Sequence, residues 1–528
     1  MLGSYYTGVK LTKLVYNEYL ALKLRNNLCQ YVSGFQQKSI YALSSGYGKC
    51  GVAVIRISGP HSANVVNELG KFKKLPEPRK AILRYLRDPI TNNILDRGLL
   101  IWFPGPNSFT GFDCCELQVH GGSAVIAAVL NALAKIPGLR PAGPGEFSKQ
   151  AFYNGKMDLT EAEGLADLIH AETEMQRLQA FHQMEGSLHN LYSSWKHILK
   201  QSVAHVEAYI DFSEDQNIED NILGDTNKNL VILKDALQKH LSDSRCGERT
   251  REGVRTVILG APNVGKSSLL NGLCQTPAAI VSAIPGTTRD IIKATIDIAG
   301  YPVVLNDTAG LRSDTNDSIE IEGISRAHNA ANQSDLIILV IDASSYVKWK
   351  LGFESNFKSP FIDFLNNYIK ILGLEDILSN CQNISALFSG ENVKQMDKMC
   401  LIVLNKIDLL EDCGEIDVLC QTYKGTIVSV SCKTESNFES MLELIKSALE
   451  TLCGNPSREH PTFSQARHRH HIESCLSFLN NYLSMSEMEI DLAAYQLQEA
   501  LNSLGKITGH VTTEDILDVI FKDFCIGK

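Results

Sequence analysis

The run Gly260-Ala261-Pro262-Asn263-Val264-Gly265-Lys266-Ser267 sets two glycines, a lysine and a hydroxyl at the spacing G-x-x-x-x-G-K-S. The apolar Thr256-Val257-Ile258-Leu259 precedes it, and the helix-like Ser268-Leu269-Leu270-Asn271 follows. A buried strand feeding a glycine turn and a helix start aims successive backbone N–H groups and the helix dipole at one point, where a phosphate fits. Lys266 can reach the outer phosphates of a nucleotide, and the Ser267 hydroxyl can bind magnesium. The bland alternative is a chance glycine-rich turn. Three further elements in the expected order argue against it.

Asp307-Thr308-Ala309-Gly310 ends the apolar Val303-Val304-Leu305. A carboxylate at that strand end can hold magnesium through water, and the Gly310 N–H can approach a γ-phosphate. Asn405-Lys406-Ile407-Asp408 follows Leu401-Ile402-Val403-Leu404. The Asp408 carboxylate can accept from a guanine N1–H and 2-amino group, a pair that adenine lacks. Ser431-Cys432-Lys433, after Ile427-Val428-Ser429-Val430, supplies the backbone contact to the guanine oxygen. Together these elements resemble the translation-factor-like GTPases and select GTP over ATP.

Small signalling GTPases place a glutamine after the D-x-A-G element to orient the attacking water. Here that position is Leu311, and Arg312 beside it reads as a surface residue. A second loop, Ser282-Ala283-Ile284-Pro285-Gly286-Thr287-Thr288-Arg289-Asp290, offers another solution. Thr288 can complete the magnesium shell. Oxygens of Asn263 and Thr287, with the backbone of Ser282 and Ile284, can hold a monovalent cation beside the phosphates and neutralise developing charge. Glu320 or Glu322 could then align the water, with Lys266 and Thr287 beside the reacting phosphate.

These residues need several domains to position them. A chain of 528 residues suggests roughly three to four domains at ~150 residues each. No apolar run reaches the ~18 residues of a membrane span. The fourteen cysteines form no C-x-x-C pair and read as thiols in a reducing compartment. Residues 1–39 hold Lys10, Lys13, Lys23, Arg25 and Lys38 against the single acid Glu18. Such a basic amphipathic stretch reads as a mitochondrial transit peptide, with an untargeted extension as the alternative. Overall charge is −10; removing a leader of net +4 leaves −10 − 4 = −14. A field that negative does not attract nucleic acid, so an RNA substrate would require a local positive patch or a partner subunit.

From Gly51, strand-like runs at Val52–Ile57, Gly98–Phe103 and Cys115–Val119 alternate with helical runs at Ser62–Leu69 and Ala124–Leu133. Residues 40–152 therefore read as a small α+β domain. At Asp158 the texture becomes helical, with Thr160 and Glu163 spaced as a capping box. Helical periodicity runs through 153–250 and resumes over 454–528. The fold class is thus multidomain: an α+β N-terminal domain, an all-α domain in two segments, and an α/β P-loop domain over 251–453 inserted between them. Residues 345–398 read as a surface insertion, and His468-Arg469-His470-His471 as a solvated basic face rather than a metal site.

Outside the nucleotide motifs, the runs GVAVIRISG (51–59), WFPGPNSFTG (102–111), ELQVHGG (116–122), PGEFSKQAF (144–152), GTTRD (286–290), DTAGLR (307–312) and the terminal FCIGK (524–528) are specific. From about residue 45 onward the chain resembles the MnmE (TrmE) family of tRNA-modification GTPases, in its mitochondrial form. The resemblance implies a folate-binding N-terminal domain that also dimerises, and a potassium-activated GTPase. It implies an FAD-dependent MnmG-type partner in a heterotetramer, and tRNA as substrate. The chemistry is modification of carbon 5 of a wobble uridine, with a one-carbon unit from 5,10-methylenetetrahydrofolate or a related folate and glycine or taurine as the amine. By matching motif, the folate contacts are Arg56, Glu116, Lys156 and Lys528, although a plain strand-edge salt bridge is the alternative for Arg56. Potassium falls to Asn263, Ser282, Ile284 and Thr287, and magnesium to Ser267 and Thr288. The family commonly has threonine where Ser282 stands, a change that a backbone ligand survives. Glu320 becomes the water-orienting residue, or Glu322 if the switch is longer. Cys525 is either a nucleophile or a pocket residue. A GTP-dependent ribosome or RNA assembly switch without modification activity is the rival reading, and folate binding separates the two.

Overall fold

The computed structural model describes residues 38–46, 48–212, 221–243, 245–275, 282–283, 294–305, 328–352, 360–389, 398–459, 461–485, 490–509, 514–522, 524 and 526–527. The chain forms two compact units, one of residues up to 166 together with 511–528, the other of residues 167–510.

The first unit is built on a six-stranded sheet. Its strands are β1 (Ser39–Leu43), β2 (Cys50–Ser58), β3 (Ile82–Arg87), β4 (Ile94–Phe103), β5 (Cys114–Gly121) and β6 (Leu139–Pro141), in the order β3-β4-β5-β2-β1-β6. Alternation along β2 turns Ile55 and Ile57 to a core shared with Leu100, Trp102 and Leu117. The helices Ser62–Gly70 and Ser123–Ala134 cover that face with Val65, Leu69, Val129 and Leu133. The opposite face of β2 presents Arg56, opposite Glu116 of β5. The C-terminal helix Glu514–Lys522 packs Leu517 and Phe521, with Phe524, against Leu159 and Ala162. Gly145, at φ 63°, accommodates this docking, because a Cβ there would lie 2.2 Å from the Phe521 carbonyl oxygen. The terminal strip then reaches β1, where the Ser44 hydroxyl donates to the Gly527 carbonyl at 2.9 Å.

Helix Leu159–His170 begins on a different cap from the one its sequence suggests. Asp158, not Thr160, accepts from the Glu161 N–H at 2.8 Å, while Glu161 returns to the Asp158 N–H at 2.8 Å. The box is therefore Asp158/Glu161. Thr160 and Glu163 lie buried inside the helix, because the apolar Leu159 must already be helical to reach its core.

The second unit holds a seven-stranded sheet in the order β13-β12-β11-β7-β10-β9-β8. Its strands are β7 (Val254–Leu259), β8 (Ser282–Ala283), β9 (Ala294–Ile298), β10 (Tyr301–Leu305), β11 (Leu336–Asp342), β12 (Met399–Asn405) and β13 (Ile427–Ser429). β7 lies parallel between β10 and β11. The strand order reverses there, so the crevice beyond its carboxyl end is where this kind of sheet binds ligands. Around the sheet's two termini in the chain, the helices Ser187–Phe212, Asn221–Leu241, Ala466–Ser484 and Ile490–Thr508 form one bundle around Tyr192, Leu199, Leu237, Ile472 and Leu497. The sheet is thus inserted between two helical segments that share a core.

Residues 345–398 read as a surface insertion, but their described parts, 345–352 and 360–389, carry buried core residues. Helix Pro360–Leu372 buries Phe361, Phe364, Leu365 and Ile369 in the core that covers one sheet face, joined by Ile377, Leu378 and Ile384. Its apolar positions recur at helical spacing and need a partner, which β11 and β12 supply. Among the described residues no helix is long and apolar enough to cross a membrane, and the cysteines are free thiols.

Candidate nucleotide site

The phosphate loop is fixed by close approaches that only glycine allows. Gly260 has φ 151°, and a Cβ there would lie 2.3 Å from the Val340 carbonyl oxygen on β11. Gly265 has φ 102°, and a Cβ there would lie 2.2 Å from Asn405 Nδ2. Between them Asn263 takes the left-handed conformation at φ 62°, which asparagine tolerates better than most residues. Its exposed side chain stands on the loop. Helix Lys266–Gln275 starts directly behind, so its free N–H groups point into the loop. Lys266 Nζ donates to the Gly260 and Ala261 carbonyls at 2.9 and 2.8 Å, and burial lowers its pKa. Ser267 and Ser268 follow, both exposed.

Asn405 ties this loop to the base-recognition end. It sits at the end of β12 with only 2 % exposure. Its Nδ2 donates to the Val264 carbonyl at 2.8 Å, and its Oδ1 accepts from the Cys432 N–H at 3.1 Å. Asp408 is exposed, and the Ser431 hydroxyl donates to its Oδ1 at 2.6 Å. Burial and the nearby Asp408 charge push the Cys432 thiol up to about 11, so it stays protonated. Lys433 lies beside it. Lys406, at φ 66°, pairs through Nζ with Asp342 Oδ2 at 2.9 Å.

Two residues of this framework carry no sequence signature. Asp342 ends β11, caps the helix Ala343–Leu351 through the Ser344 N–H, and takes the Lys406 ion pair. Burial opposes its charge, but the Lys406 ammonium and the Ser344 donors outweigh it and hold the pKa below the ordinary value. Tyr368 comes from helix Pro360–Leu372. Its hydroxyl accepts from the Ala261 N–H at 2.8 Å and donates to the Val340 carbonyl at 3.0 Å. The available signal was its place on the apolar face of that helix, since a buried tyrosine hydroxyl usually finds a partner.

The structure therefore brings Asn263, Val264, Gly265, Lys266, Ser267, Ser268, Asn405, Lys406, Asp408, Ser431, Cys432 and Lys433 to one end of the sheet. Ser282 and Ala283 form β8, paired with β9, and only their backbone is described. Ile284, Pro285, Gly286, Thr287, Thr288, Asp307, Thr308, Ala309, Gly310, Glu320 and Glu322 lie outside the described residues, as do Leu311 and Arg312. The donor set that is described fits a guanine nucleotide: a glycine cradle under a helix start, a lysine at its mouth, and a carboxylate backed by a hydroxyl at the base.

In the first unit, Arg56 Nε meets Glu116 Oε1 at 3.0 Å, each about one-fifth exposed. The guanidinium lies 5.1 Å from the Phe109 ring centre and 5.8 Å from that of Phe147. On the same strand face the Ser58 hydroxyl donates to Gln150 Oε1 at 2.8 Å, and Gln150 Nε2 is buried with no partner among the described residues. Lys156 is exposed, while Lys528 and Cys525 lie outside the described residues.

The His468–His471 stretch is not a solvated face. His468 is fully buried beside Tyr192, and Arg469 pairs with Glu248 at 3.0 Å, pairs with Asp243 at 3.4 Å and covers the Phe463 ring. Burial first, with neighbouring positive charge, lowers His471 to about 4. Two acids from residues 243 and 248 neutralise the arginine, a pairing that local sequence cannot reveal.

Residues 39–156 match the family model described as GTP-binding protein TrmE N-terminus, and residues 159–525 match that described as MnmE helical domain. A Danio rerio protein named 5-taurinomethyluridine-[tRNA] synthase subunit GTPB3, mitochondrial, is 48% identical over 93% of both chains. Its Homo sapiens namesake is 45% identical over 93% of both. A Parvibaculum lavamentivorans protein named tRNA modification GTPase MnmE is 41% identical over 93% of this chain and 100% of its own. With family models matching nearly the whole of 39–525 and relatives this similar end to end, the chain belongs to the MnmE/TrmE family of tRNA modification GTPases.

Proposed function

We propose that this chain hydrolyses GTP and that hydrolysis drives modification of carbon 5 of the wobble uridine in mitochondrial tRNAs. The observation that carries the first half is the Asn405 amide, which locks the phosphate loop to the loop holding Cys432 beside Asp408. That lock sets the distance between phosphate cradle and base pocket, so a purine offering two N–H donors to Asp408 is selected together with its phosphates. Lys266 exchanges the loop carbonyls for phosphate oxygens, and Ser267 takes magnesium. The second half, the mitochondrial setting and the tRNA, rest on the relatives' names.

Potassium held by Asn263, Thr287 and the backbone of Ser282 and Ile284 would supply the positive charge that Leu311 cannot. The left-handed Asn263 with its exposed amide suits that role. Thr288 completes the magnesium shell, and Glu320 aligns the attacking water. In the first unit, Glu116 paired with an Arg56 guanidinium that lies near the Phe109 and Phe147 rings, and a Gln150 amide nitrogen with no partner among the described residues, fit the flat, amide-edged ring of a folate. Lys156 and Lys528 would meet its carboxylates. On this reading the chain acts as a homodimer with an FAD-bearing MnmG-type partner, and the amine donor is taurine, as the names of the Danio rerio and Homo sapiens relatives suggest, or glycine.

The test combines GTP turnover in potassium and in sodium with mass spectrometry of mitochondrial wobble nucleosides with and without the chain. Turnover should fall severalfold or more in sodium, and the C5 modification should vanish without the protein. Equal turnover in both salts removes the potassium site. Unchanged nucleosides with folate binding absent would favour the assembly-switch reading.

A further inference from the structure

We propose that the β3 edge of the first unit is an RNA-binding face that grips phosphates with lysine and arginine and stacks an unpaired base on Tyr85. This rests on the reading of tRNA as substrate. The chain as a whole is the wrong charge for such a ligand, at −10. Residues 71–97 carry Lys71, Lys73, Lys74, Arg79, Lys80, Arg84, Arg87 and Arg97 against Glu77, Asp88 and Asp96, or 8 − 3 = +5, leaving −10 − 5 = −15 elsewhere. Positive charge is thus concentrated on one strand edge and the loop leading into it, since β3 is terminal in the sheet.

The nearby acids are already engaged. Asp88 takes Lys135 at 2.6 Å and the N–H groups of Ile90 and Thr91. Asp96 takes His120 at 2.8 Å, Glu77 takes Lys80 at 2.9 Å and Glu68 takes Lys71 at 3.6 Å. Lys73, Lys74, Arg79, Arg84 and Arg97 are exposed and form no ion pair among the described residues. Arg79 donates to the Asn107 carbonyl; no carboxylate among the described residues neutralises any of the five, so their net charge remains available to a ligand.

Aromatic groups lie among these charges. Arg84 covers the Phe72 ring at 4.6 Å, and Arg97 lies 5.4 Å from the Tyr85 ring, directly across the β3–β4 pair. Tyr85 is 50% exposed and Leu83, two residues along the same strand face, is 51% exposed. Strand alternation puts Tyr85, Leu83 and Arg97 on one face and Arg84 on the other. An exposed aromatic with a guanidinium beside it can stack a base while the cations of the edge and its loop meet the backbone. An edge rich in cations also resists pairing with another strand, and that is the bland account of its lysines. It does not explain an exposed tyrosine and leucine on the same face.

The experiment measures binding of an unmodified tRNA transcript to the full chain by fluorescence anisotropy across a salt series. Lys73→Glu/Lys74→Glu and Tyr85→Ala are compared with Lys370→Glu/Lys424→Glu, the same charge change on exposed sites of the other unit. The lysine pair should weaken binding at least about tenfold and reduce the slope of log K against log salt by about 1.4, at ~0.7 per single-strand phosphate released. Tyr85→Ala should cost at least about fivefold by loss of one stacked base. GTP turnover and melting temperature report that each variant is folded. Wild-type affinity and slope in the lysine pair overturn the proposal, as does an equal loss in the control pair. Loss of binding to anionic phospholipid vesicles with tRNA binding intact overturns it too and assigns the face to a membrane. If the wild-type chain itself binds no tRNA, the substrate reading fails and takes this face with it.

Discussion

Removing one oxygen from Tyr368 should weaken nucleotide binding, although the residue lies more than a hundred positions from the phosphate loop. Its hydroxyl is the shared partner of the Ala261 N–H and the Val340 carbonyl. Phenylalanine fills the same space on the apolar face of helix Pro360–Leu372, so packing is kept and only the two hydrogen bonds are lost. A hydrogen bond contributes about 0.5–1.5 kcal/mol net, and a buried group left unsatisfied costs about 1–3 kcal/mol. Ala261 is only half-buried, so water can recover part of this, and a total of about 1–2 kcal/mol follows. If that energy holds the loop in its binding geometry, Tyr368→Phe raises the Kd for GDP and GTP by about 5- to 30-fold. Titration of a fluorescent guanine nucleotide reads this directly, with the thermal melt of the nucleotide-free protein as companion. Burial raises the tyrosine pKa above 10.0, so its proton is retained and the wild-type affinity should not fall between pH 7 and 9 on its account. An unchanged Kd together with a lowered melting temperature would refute the argument, because the hydroxyl would then support the fold without setting the loop.

Other substitutions test the base end and the bundle. Asn405→Ala strands the Val264 carbonyl and the Cys432 N–H together, so guanine nucleotide affinity should fall by more than about tenfold; wild-type affinity in a nucleotide titration would detach the two loops. Asp408→Asn replaces an acceptor pair by an acceptor and a donor, and competition assays should show preference moving from guanine to xanthine nucleotides. His240 packs against Trp195 and Phe463, and burial first, then the charges of His468 and Arg469, lower it to about 4. Its folded pKa lies below the unfolded value of ~6.5, so this contribution is complete above about pH 6.5 and is lost as pH falls towards 4, on the order of 3 kcal/mol in all. Melting curves from pH 7 to 5 should show the decline, and His240→Leu should flatten it.

The nucleotide site was legible wherever a local pattern has one physical meaning. Gly260 and Gly265 are required by a carbonyl and an amide that approach within van der Waals distance, and the motif encodes that requirement without naming the partners. The strands β7 and β12 stood out as apolar runs because both their faces are buried. What escaped were groups whose partners are remote in the chain. Tyr368 meets Ala261, and Arg469 meets Asp243 and Glu248, so a local window shows only a tyrosine on a helix and a string of basic residues. The 345–398 segment failed for the same reason, since its helical apolar face acquires meaning only against β11 and β12. The cap of helix Leu159–His170 was misplaced by two residues because Asp158 and Thr160 are both good caps, and burial of Leu159 decides between them.

One short helix, Cys246–Glu252, carries the inserted sheet's connection to the bundle. On the sheet side, Arg249 is 4% exposed, pairs with Asp335 at 3.0 Å and donates to the Leu452 carbonyl at 3.4 Å. That single side chain therefore grips the start of β11 and the end of the last helix of the sheet domain. On the bundle side, the adjacent Glu248 takes Arg469 at 3.0 Å, and from a separate helix, Glu174–Met184, the Gln179 amide donates to the Gly247 carbonyl at 3.0 Å. Gly247 leaves no room for slack, since a Cβ there would lie 2.3 Å from the Phe463 carbonyl oxygen. A buried ion pair whose partner moves away leaves an uncompensated charge, which costs several kcal/mol. The helix is therefore held to both neighbours by side chains whose loss would leave buried charge behind. Residues 248 and 249 are consecutive in one helical turn, so the contact to Asp335 before β11 and the contact to Arg469 in the bundle leave from the same turn. β11 is also the strand whose Val340 carbonyl meets both Gly260 and Tyr368. The phosphate loop, the sheet and the helical bundle are thus joined by one contiguous set of hydrogen bonds and ion pairs, and Arg249→Ala, which cuts that set at the sheet, should lower the melting temperature by leaving Asp335 unpaired.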